Sequence, residues 1–383
     1  MKRKIGIVTE YYYPHLGGIT EHVHYYSQEL LKRGHEVVLL TGNQGGLHHP
    51  PLPGLRILRF GKSFPIFSNE AFAKVTVGFN LGRKIRRVLA EEKFDILHIQ
   101  SPLTPVLPLL FEKYTNTVTV GTIHTYFDAI YCYKIFRERI QAYLDKLDGI
   151  ISVSPSCIEA MGRYFKGDYT IIPNGVETSW FAPASNGFRK IKEYDDGVLN
   201  ILYLGRLDPR NGLDYLLEAF PIIHKRLPNT RLLIVGDGPL RDLYEEEAGE
   251  LLNESIFFEG QINSERPEYF ATSHVFCYPA TKASFGITLL EAMSAGVPVV
   301  ATDNKGFRDV IQHGVNGLLA KPGDSFDLAE VIIKALEDKA LAQSLSKNGL
   351  QTAENYSWSH ITDRILAFYD QVFMKTKGVP FAS

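Results

Sequence analysis

Cysteine is scarce in this 383-residue chain, and long apolar runs are absent. Cys132, Cys157 and Cys277 lie far apart, so they provide neither the spacing of a zinc site nor a disulfide framework. No window contains the roughly 18 uninterrupted apolar residues of a membrane span. The run Ile5–Val8 is too short for a secretory signal. We therefore expect a cytoplasmic protein whose contact with a membrane, if any, is peripheral, at the inner face of the plasma membrane.

A strong basic excess is also absent, because 41 lysines and arginines stand against 43 aspartates and glutamates. The formal net charge of -2 argues against a general nucleic-acid binder. The sequence has no Asp-x-Asp motif and no histidine, cysteine and carboxylate residues at metal-ligand spacing. It therefore predicts a protein that uses neither a metal ion nor a bound cofactor.

Short β-rich runs alternate with helical stretches along the whole chain. The length exceeds what one hydrophobic core usually supports, which predicts two domains. Continuous apolar runs indicate strands buried on both faces of parallel sheets. The predicted strands are Ile5–Thr9, Val37–Thr41, Ile96–Gln100, Val118–Ile123, Gly149–Ser152, Thr170–Ile172, Ile201–Gly205, Arg231–Val235, Ile256–Glu259, Val275–Tyr278, Pro298–Thr302 and Gly317–Ala320. This alternation predicts an α/β fold of two Rossmann-like, doubly wound domains.

A turn signal at Ile172–Gly175, followed by an irregular polar stretch to about Asn200, marks the expected boundary between these domains. We predict a first domain at 1–173, a second at 174–357 and a helix at Trp358–Phe373. Ligands of open α/β sheets bind beyond the carboxyl ends of the strands. If the two domains face each other across a central cleft, that cleft is the expected site of chemistry.

Two features of the first domain suit an anionic or sugar ligand. Gly17 and Gly18 precede a helix that begins near Thr20, where close backbone approach and free N–H groups favour a phosphate. By itself this pattern indicates a plain strand-to-helix turn more strongly than a phosphate site. His124 follows the strand Val118–Ile123 at its carboxyl end. A lone histidine is more often structural than catalytic, and its position brings the two interpretations to equal weight.

The second domain carries basic residues in a comparable place. Arg206 and Arg210 lie in the loop Gly205–Gly212 after a strand, where they could grip a diphosphate or simply be surface arginines. Gly236 and Gly238 resemble the start of a dinucleotide fingerprint, but Arg241 occupies the third glycine position. We therefore reject a nicotinamide site.

The block Ala283–Ala301 is the most informative segment of the second domain. Gly286 and Ile287 should begin a helix whose first N–H groups are directed at an anion. Glu291 lies within that helix among apolar residues, and a buried carboxylate requires a partner. Ribose hydroxyls are the favoured partner, and a backbone amide is the alternative.

A basic amphipathic helix is predicted at Leu81–Leu89. Leu81, Ile85 and Val88 share one face, and the other face carries Arg83, Lys84, Arg86 and Arg87. Such a cluster binds anionic lipid at about 1 kcal/mol per basic residue. An ordinary solvated helix face is an equally weighted alternative. The adjoining stretch Phe60–Phe79 is either a lipid-contact loop or a core element.

Together these motifs resemble the GT4 family of retaining glycosyltransferases, almost from end to end. The resemblance rests on Gly17-Gly18, His124, Ile172–Val176, Gly205–Asp208, Gly236–Gly238 and Ser284–Ala301. Within the family, the chain is most similar to the phosphatidylinositol mannosyltransferases. The resemblance implies the GT-B fold, a nucleotide-sugar donor, no metal, retention of anomeric configuration and a C-terminal helix, about 358–383, that completes the first domain. The first domain would then bind the acceptor and the second the donor.

The resemblance also implies residue roles. Gly18 and Arg206 would contact the donor diphosphate, Glu291 its ribose and His124 the transferred sugar. His124 and Arg206 are the implied catalytic residues. The implied donor-binding set is Gly17, Gly18, Arg206, Arg210, Asn211, Gly236, Ala283, Phe285, Gly286, Ile287, Thr288 and Glu291.

Two positions depart from the family pattern. Asn211 stands where the family has a lysine, and Ala283 stands where it has the first of two glutamates. Each lost charge-assisted contact costs about 1.5–3 kcal/mol. This combination indicates either an engineered inactive variant or a natural paralogue with weakened transfer.

The expected reaction is transfer of a hexose to a lipid-linked or polyol hydroxyl. Mannose from GDP-mannose is the favoured donor, and a UDP-hexose used for glycolipid or glycan synthesis is the alternative. A non-catalytic paralogue that binds nucleotide or lipid is a third hypothesis. The expected partners are a nucleotide-sugar, a lipid-linked acceptor and an anionic membrane surface, without nucleic acid.

Overall fold

The computed structural model describes most of the chain. The described residues are 2–15, 17–45, 52–68, 71–127, 130–182, 190–262 and 264–381, with the backbone alone at 66–68, 71–73 and 132. Leu16, in the predicted first turn, and 183–189, in the predicted polar stretch, lie outside them.

The chain divides into two compact units. Unit 1 contains Met1–Gly175 together with Trp358–Ser383, and unit 2 contains Val176–Ser357. The break follows Gly175 rather than residue 173, because Asn174 belongs to unit 1 through a hydrogen bond between its Oδ1 and His22 Nδ1 at 2.9 Å.

Unit 1 is built on a parallel sheet, with an additional hairpin. Its strands are β1 (Lys4–Thr9), β2 (Glu36–Gly42), β3 (Arg56–Phe60), β4 (Lys62–Ser68), β5 (Ala71–Val77), β6 (Ile96–Gln100), β7 (Val118–Ile123), β8 (Gly149–Ser152) and β9 (Tyr169–Ile171). The sheet has the order β3-β2-β1-β6-β7-β8-β9, while β4 and β5 pair antiparallel.

Unit 2 is built on a second parallel sheet. Its strands are β10 (Leu199–Leu204), β11 (Thr230–Val235), β12 (Ile256–Gly260), β13 (Val275–Tyr278), β14 (Val299–Thr302) and β15 (Leu318–Ala320). They follow the order β12-β11-β10-β13-β14-β15. In each sheet the chain adds strands first toward one edge and then toward the other. This order reverses between β1 and β6 in unit 1 and between β10 and β13 in unit 2. Ligands of doubly wound sheets bind at such switch points.

Helices cover both sheets, as buried parallel sheets require. Within the described residues they are α1 (Gly18–Lys32), α2 (Leu81–Glu92), α3 (Leu107–Tyr114), α4 (Tyr131–Ile135), α5 (Arg137–Leu144), α6 (Pro155–Gly162), α7 (Thr178–Phe181), α8 (Leu213–Arg226), α9 (Arg241–Ala248), α10 (Arg266–Thr272), α11 (Ile287–Ser294), α12 (Lys305–Arg308), α13 (Ser325–Glu337), α14 (Lys339–Asn355) and α15 (Trp358–Lys377).

The C-terminal helix α15 belongs to the core of unit 1, where it packs against α1. Its buried face carries the apolar residues that the helical spacing predicted, namely Trp358, Ile361, Ile365, Phe368 and Tyr369. The Tyr26 hydroxyl of α1 donates to the Tyr369 hydroxyl at 2.7 Å. This buried bond joins the end of the chain to its beginning.

All twelve predicted strands are confirmed, whereas β3 and the β4–β5 hairpin were not predicted. Strand β3 lies at the edge of its sheet and includes Arg56 and Arg59, so it lacks the continuous apolar run of a central strand. The Phe60–Phe79 stretch is a core element in part, and contact of its exposed part with lipid stays a prediction. Phe60 and Val75 are buried, whereas Phe64 and Phe79 are exposed. Residues 69–70 of this stretch lie outside the described part.

Candidate functional site

The Arg206 loop of unit 2 packs tightly against the loop after β11. Gly236 has a φ of +145°, and a Cβ there would collide with the carbonyl oxygen of Gly205. The main-chain nitrogen of Leu207 donates to the carbonyl of Asp237 at 3.1 Å. Only glycine permits this approach of two loops at the carboxyl edge of the sheet.

Arg206 combines a fixed backbone with an exposed guanidinium. Its carbonyl accepts hydrogen bonds from the Tyr203 hydroxyl at 3.2 Å and from Asn211 Nδ2 at 2.7 Å. Its Nε lies 3.6 Å from Asp208 Oδ2, and its side chain is 52% exposed. Burial raises the pKa of the Asp208 carboxyl. The loop therefore presents a cation to solvent without having to reorganise its backbone.

Asn211 has a structural role that the family resemblance in the sequence did not predict. Its Nδ2 bonds the Arg206 carbonyl, and its Oδ1 accepts from the Tyr278 hydroxyl at 3.0 Å. Nearby, the main-chain nitrogen of Thr281 donates to the carbonyl of Arg210 at 3.2 Å. The neutral amide thus holds the Arg206 loop against the end of β13.

The segment 283–288 leads into α11 beside this loop. The helix begins after Gly286, and no side chain of a described residue caps it. Helix geometry therefore directs the first N–H groups outward, as an anion site requires. Phe285 is buried against Tyr356, with ring centroids 5.7 Å apart. Ala283, Ile287 and Thr288 are partly exposed, so a ligand could contact them.

Glu291 is buried, as the sequence predicted, but its partner is different. Its Oε1 accepts from Arg266 Nη1 at 2.8 Å, and both side chains are almost inaccessible. The Arg266 guanidinium also lies over the Trp180 ring, 4.9 Å from its centroid. Arg266 therefore supplies the partner that the sequence analysis assigned to ribose hydroxyls or a backbone amide, and contact of Glu291 with a ribose stays a prediction. The residues beside Arg266 in the sequence form no motif that would predict this role.

The first turn of unit 1 supplies backbone rather than side chains. Gly17 has a φ of +155°, which L side chains rarely adopt, and it precedes α1 without a side-chain cap among the described residues. Gly18 is exposed at the first position of the helix. The main chain at this end of β1 is therefore accessible to a ligand.

His124 is buried at the carboxyl end of β7. Its Nε2 lies 2.6 Å from Gln100 Oε1, and its ring stands edge-on to that of His22 at 4.7 Å. Burial lowers the pKa of His124 well below its ordinary value, with the His22 and His98 charges as further causes. Burial also lowers the pKa of His22 to about 4. His124 is therefore neutral near pH 7 and can exchange hydrogen bonds but not supply a charge.

A third buried histidine was missed by the sequence analysis. His98 Nδ1 is hydrogen-bonded to the Tyr369 hydroxyl at 2.7 Å, and its Nε2 to Thr122 Oγ1 at 2.7 Å. Burial lowers the pKa of His98 to about 3. This chain of bonds fixes β6 and β7 against α15, and β7 leads directly to His124.

Two buried carboxyls of unit 1 were also missed. Glu10, after β1, accepts from Thr76 Oγ1 at 2.5 Å and from the Leu107 nitrogen at 3.2 Å. Burial raises its pKa to about 7. Neither oxygen of Glu112 has a hydrogen-bond partner among the described residues, and burial raises its pKa to about 8.

Replacing Glu112 with glutamine should remove part of the pH dependence of stability. The unfolded chain releases this proton above its ordinary pKa of 4.5, whereas the folded chain retains it until about pH 8. The free energy of unfolding therefore falls with rising pH in this window, by up to about 1.4 kcal/mol per pH unit. Urea unfolding measures the free energy of unfolding of both proteins at about pH 5.5 and 7.5. The difference, Glu112→Gln minus the parent chain, should be about 2–3 kcal/mol larger at the higher pH. Parallel pH profiles of the two proteins would contradict this.

Helix α2 exposes its basic residues. Arg83, Lys84, Arg86 and Arg87 all face solvent, whereas Leu81 and Ile85 are buried. Arg87 pairs with Glu91 at 2.7 Å, and Arg86 lies over the ring of Tyr114. No helix in the described part of the chain is long and apolar enough to span a membrane. The same residues contain no group of histidine, cysteine and carboxylate side chains able to hold a metal.

The predicted site residues form one group on each unit. Arg206, Arg210, Asn211, Gly236 and the Ala283–Glu291 segment lie at the carboxyl ends of β10, β11 and β13. Gly17, Gly18 and His124 lie at the carboxyl ends of β1 and β7. Strands β1, β10 and β13 border the switch points of their sheets, and β7 and β11 lie one strand away. Doubly wound folds bind ligands at such points.

Two Rossmann-like units, each with a helix N-terminus near the switch point of its sheet and one with an exposed arginine, have the architecture of the GT-B glycosyltransferases. The protein-family model described as Glycosyltransferase Family 4 matches residues 16–180, and the family model described as Glycosyl transferases group 1 matches residues 186–352. The chain belongs to glycosyltransferase family 4, which confirms the resemblance seen in the sequence.

Relatives extend this similarity over the whole chain. A phosphatidyl-myo-inositol mannosyltransferase of Mycolicibacterium smegmatis is 33% identical over 376 residues, covering 96% of this chain and 94% of the relative. Sucrose-phosphate synthase from Thermosynechococcus elongatus has a similar structure, with a TM-score of 0.76 and 21% identity over 98% of this chain and 100% of that one. Anabaena HepE in complex with UDP-glucose has a TM-score of 0.74 and 18% identity, covering 96% of this chain and 99% of that one. The structural neighbours confirm the predicted fold.

Proposed function

We propose that this glycosyltransferase moves mannose from GDP-mannose to a hydroxyl group of a lipid-linked acceptor. The observation that carries the proposal is the end-to-end similarity to the phosphatidyl-myo-inositol mannosyltransferase of M. smegmatis. The exposed Arg206 guanidinium on a fixed loop suits the diphosphate of such a donor. The basic surface of α2 suits an acceptor that resides in an anionic membrane.

In this proposal unit 2 binds the nucleotide-sugar. Arg206 and Arg210 bind the diphosphate, assisted by the main-chain N–H groups at Gly286 and Ile287. Glu291 accepts hydrogen bonds from the ribose, while Arg266 fixes the orientation of its carboxylate. The remaining donor contacts, near the phosphates and the sugar, come from Gly236, Asn211, Ala283, Phe285 and Thr288.

Unit 1 contributes the acceptor-binding residues and His124. The exposed main chain at Gly17 and Gly18 binds phosphate oxygen. His124 is neutral, so its role is to hold a sugar hydroxyl by hydrogen bonding. Gln100 and His22 position its ring and therefore act as positioning residues.

The chemistry follows from these contacts. The acceptor oxygen forms a bond to the anomeric carbon on the face from which the donor phosphate leaves, so the configuration is retained. The bond between the anomeric carbon and the phosphate oxygen breaks, and that phosphate takes the acceptor proton. Negative charge grows on the leaving diphosphate, where Arg206 and the α11 N-terminus stabilise it without a metal.

A lipid-extraction assay tests the proposed function. The chain is incubated in EDTA with vesicles containing phosphatidylinositol and with radiolabelled GDP-mannose, UDP-glucose or UDP-N-acetylglucosamine in parallel. The proposal expects label in the lipid phase from GDP-mannose and retained α-configuration in the product. Transfer from a UDP-sugar alone would replace the proposed donor, and the HepE complex with UDP-glucose makes this the second candidate.

Charge reversal on α2 tests the proposed membrane contact. Changing Arg83, Lys84, Arg86 and Arg87 to glutamate should weaken binding to anionic vesicles at least tenfold, since each basic residue contributes about 1 kcal/mol. Co-sedimentation with vesicles measures the affinity. Reversal of four exposed lysines and arginines of unit 2 is the control, because it changes the net charge equally. The control residues are Lys225, Arg226, Lys334 and Lys339. Equal losses in both variants would contradict a specific role for α2.

A further inference from the structure

Helix α4 and the start of α5 expose three large apolar side chains that the proposed function does not use. Tyr131, Ile135 and Phe136 are 78%, 58% and 49% exposed. Single exposed apolar residues are ordinary, but several within six positions form a patch that usually contacts another surface.

Basic side chains surround this apolar patch. Lys134, Arg137 and Arg139 are exposed, and none of them forms an ion pair with a described residue. Glu138 is the one acidic residue from 131 to 139, so the segment carries a net charge of +2. Its charge complements an anionic surface, and its apolar residues complement a hydrocarbon boundary. This combination is typical of interfacial helices.

The patch also continues the basic surface of α2. Helix α3 packs against both α2 and α5, so the three helices lie side by side. Successive right-handed crossovers that advance in one direction place their helices on the same face of a parallel sheet. Lys113 at the end of α3 is exposed, and Arg86 of α2 lies 5.1 Å from the centroid of the neighbouring Tyr114 ring. The basic residues of α2 and the apolar patch therefore belong to neighbouring helices on one face of the sheet.

We propose that α4 and the start of α5 form a second contact with an anionic lipid bilayer, which Tyr131, Ile135 and Phe136 enter while Lys134, Arg137 and Arg139 bind lipid phosphates. The inference extends the membrane contact proposed for α2. It concerns binding alone, so vesicle assays distinguish its failure from a failure of sugar transfer.

Tryptophan fluorescence tests insertion of the patch. The chain carrying Phe136→Trp is titrated with phosphatidylcholine vesicles containing about 30% phosphatidylglycerol, an anionic lipid. The difference spectrum against the parent chain should shift to shorter wavelength and be quenched by brominated lipid. Phe326→Trp is the matched control, because Phe326 is 64% exposed on unit 2 between Asp324 and Asp327. If vesicle-bound Phe136→Trp protein gave an unshifted and unquenched difference spectrum, the proposal would be overturned.

Affinity provides an independent test. The double variant Ile135→Ser and Phe136→Ser should bind the same vesicles at least tenfold more weakly, and adding it to the α2 charge reversal should abolish the remaining binding. Both replaced side chains are exposed, so circular dichroism should report an unchanged fold. Unchanged vesicle affinity in the folded variant would overturn the proposal and assign the patch to a protein partner instead.

Discussion

Replacing Asn211 with lysine and Ala283 with glutamate together should raise kcat/KM for hexosyl transfer by about 10²–10⁴-fold. Each substitution restores a charge-assisted contact worth about 1.5–3 kcal/mol, and 1.4 kcal/mol corresponds to a tenfold change in rate. The lysine would neutralise diphosphate charge, and the glutamate would bind hydroxyl groups of the transferred sugar. The lipid-extraction assay measures the effect.

The two single variants should differ in their effects. Asn211→Lys gives up the bonds to the Arg206 carbonyl and the Tyr278 hydroxyl, each worth about 1 kcal/mol, so this variant should be less stable than the parent chain. Ala283 is partly exposed and its side chain makes no hydrogen bond, so Ala283→Glu loses nothing comparable. Asn211→Met and Ala283→Gln are the controls, because they match the new side chains in length without their charge.

The parent chain and the double variant together decide between the remaining hypotheses. Strong transfer by the double variant alone would mean that the chain is a weakened or inactivated enzyme whose site geometry is intact. Equal transfer by both would mean that the chain is fully active with Asn211 and Ala283 in place of the lysine and the glutamate. Transfer by neither would leave the non-catalytic paralogue and eliminate the proposed reaction.

Arg206→Ala should lower kcat/KM by about 10²–10³-fold in whichever of these chains is active. Loss of one preorganised group that stabilises charge in the transition state typically costs this much. Arg206→Lys should retain part of the activity, because lysine keeps the charge but not the forked geometry of the guanidinium. The fold should not change, because the bonds that hold the loop involve the Arg206 carbonyl rather than its side chain.

Arg226→Ala is the matched control for this prediction. The Arg226 side chain is 50% exposed against 52% for Arg206, and it lies on the same unit in ion pairs with Glu330 and Glu337. It should leave kcat/KM within about twofold, as expected for a surface ion pair. Equal losses from both substitutions would show that the effect of Arg206→Ala is not specific to the loop.

Sequence patterns predicted the nine central strands because those strands are buried and read as continuous apolar runs, and they also predicted the edge strands β9, β12 and β15. The same criterion cannot detect β3, an edge strand interrupted by Arg56 and Arg59, or the β4–β5 hairpin, in which Lys62 and Phe64 are exposed. The C-terminal helix was recognisable because its apolar residues recur at helical spacing over several turns. Its packing against α1 depends on residues more than 300 positions apart, such as Tyr26 and Tyr369.

The candidate site was predictable where motifs mark it and invisible where it depends on distant contacts. The Arg206 loop follows β10 directly and α11 begins in the connection after β13, so their place at a sheet edge follows from chain order. The Arg266–Glu291 pair links two helices, and no spacing rule connects them. No spacing rule marks His22 and His98 either, because they come near His124 and its strand only when the sheet has formed.

Calorimetric titration with GDP-mannose in EDTA tests most directly the claim that unit 2 holds a nucleotide diphosphate sugar through the Arg206 loop. The account predicts metal-independent binding that weakens at least tenfold in Arg206→Ala and is unchanged in Arg226→Ala. Binding that requires a divalent cation, or that is the same in all three proteins, would contradict it.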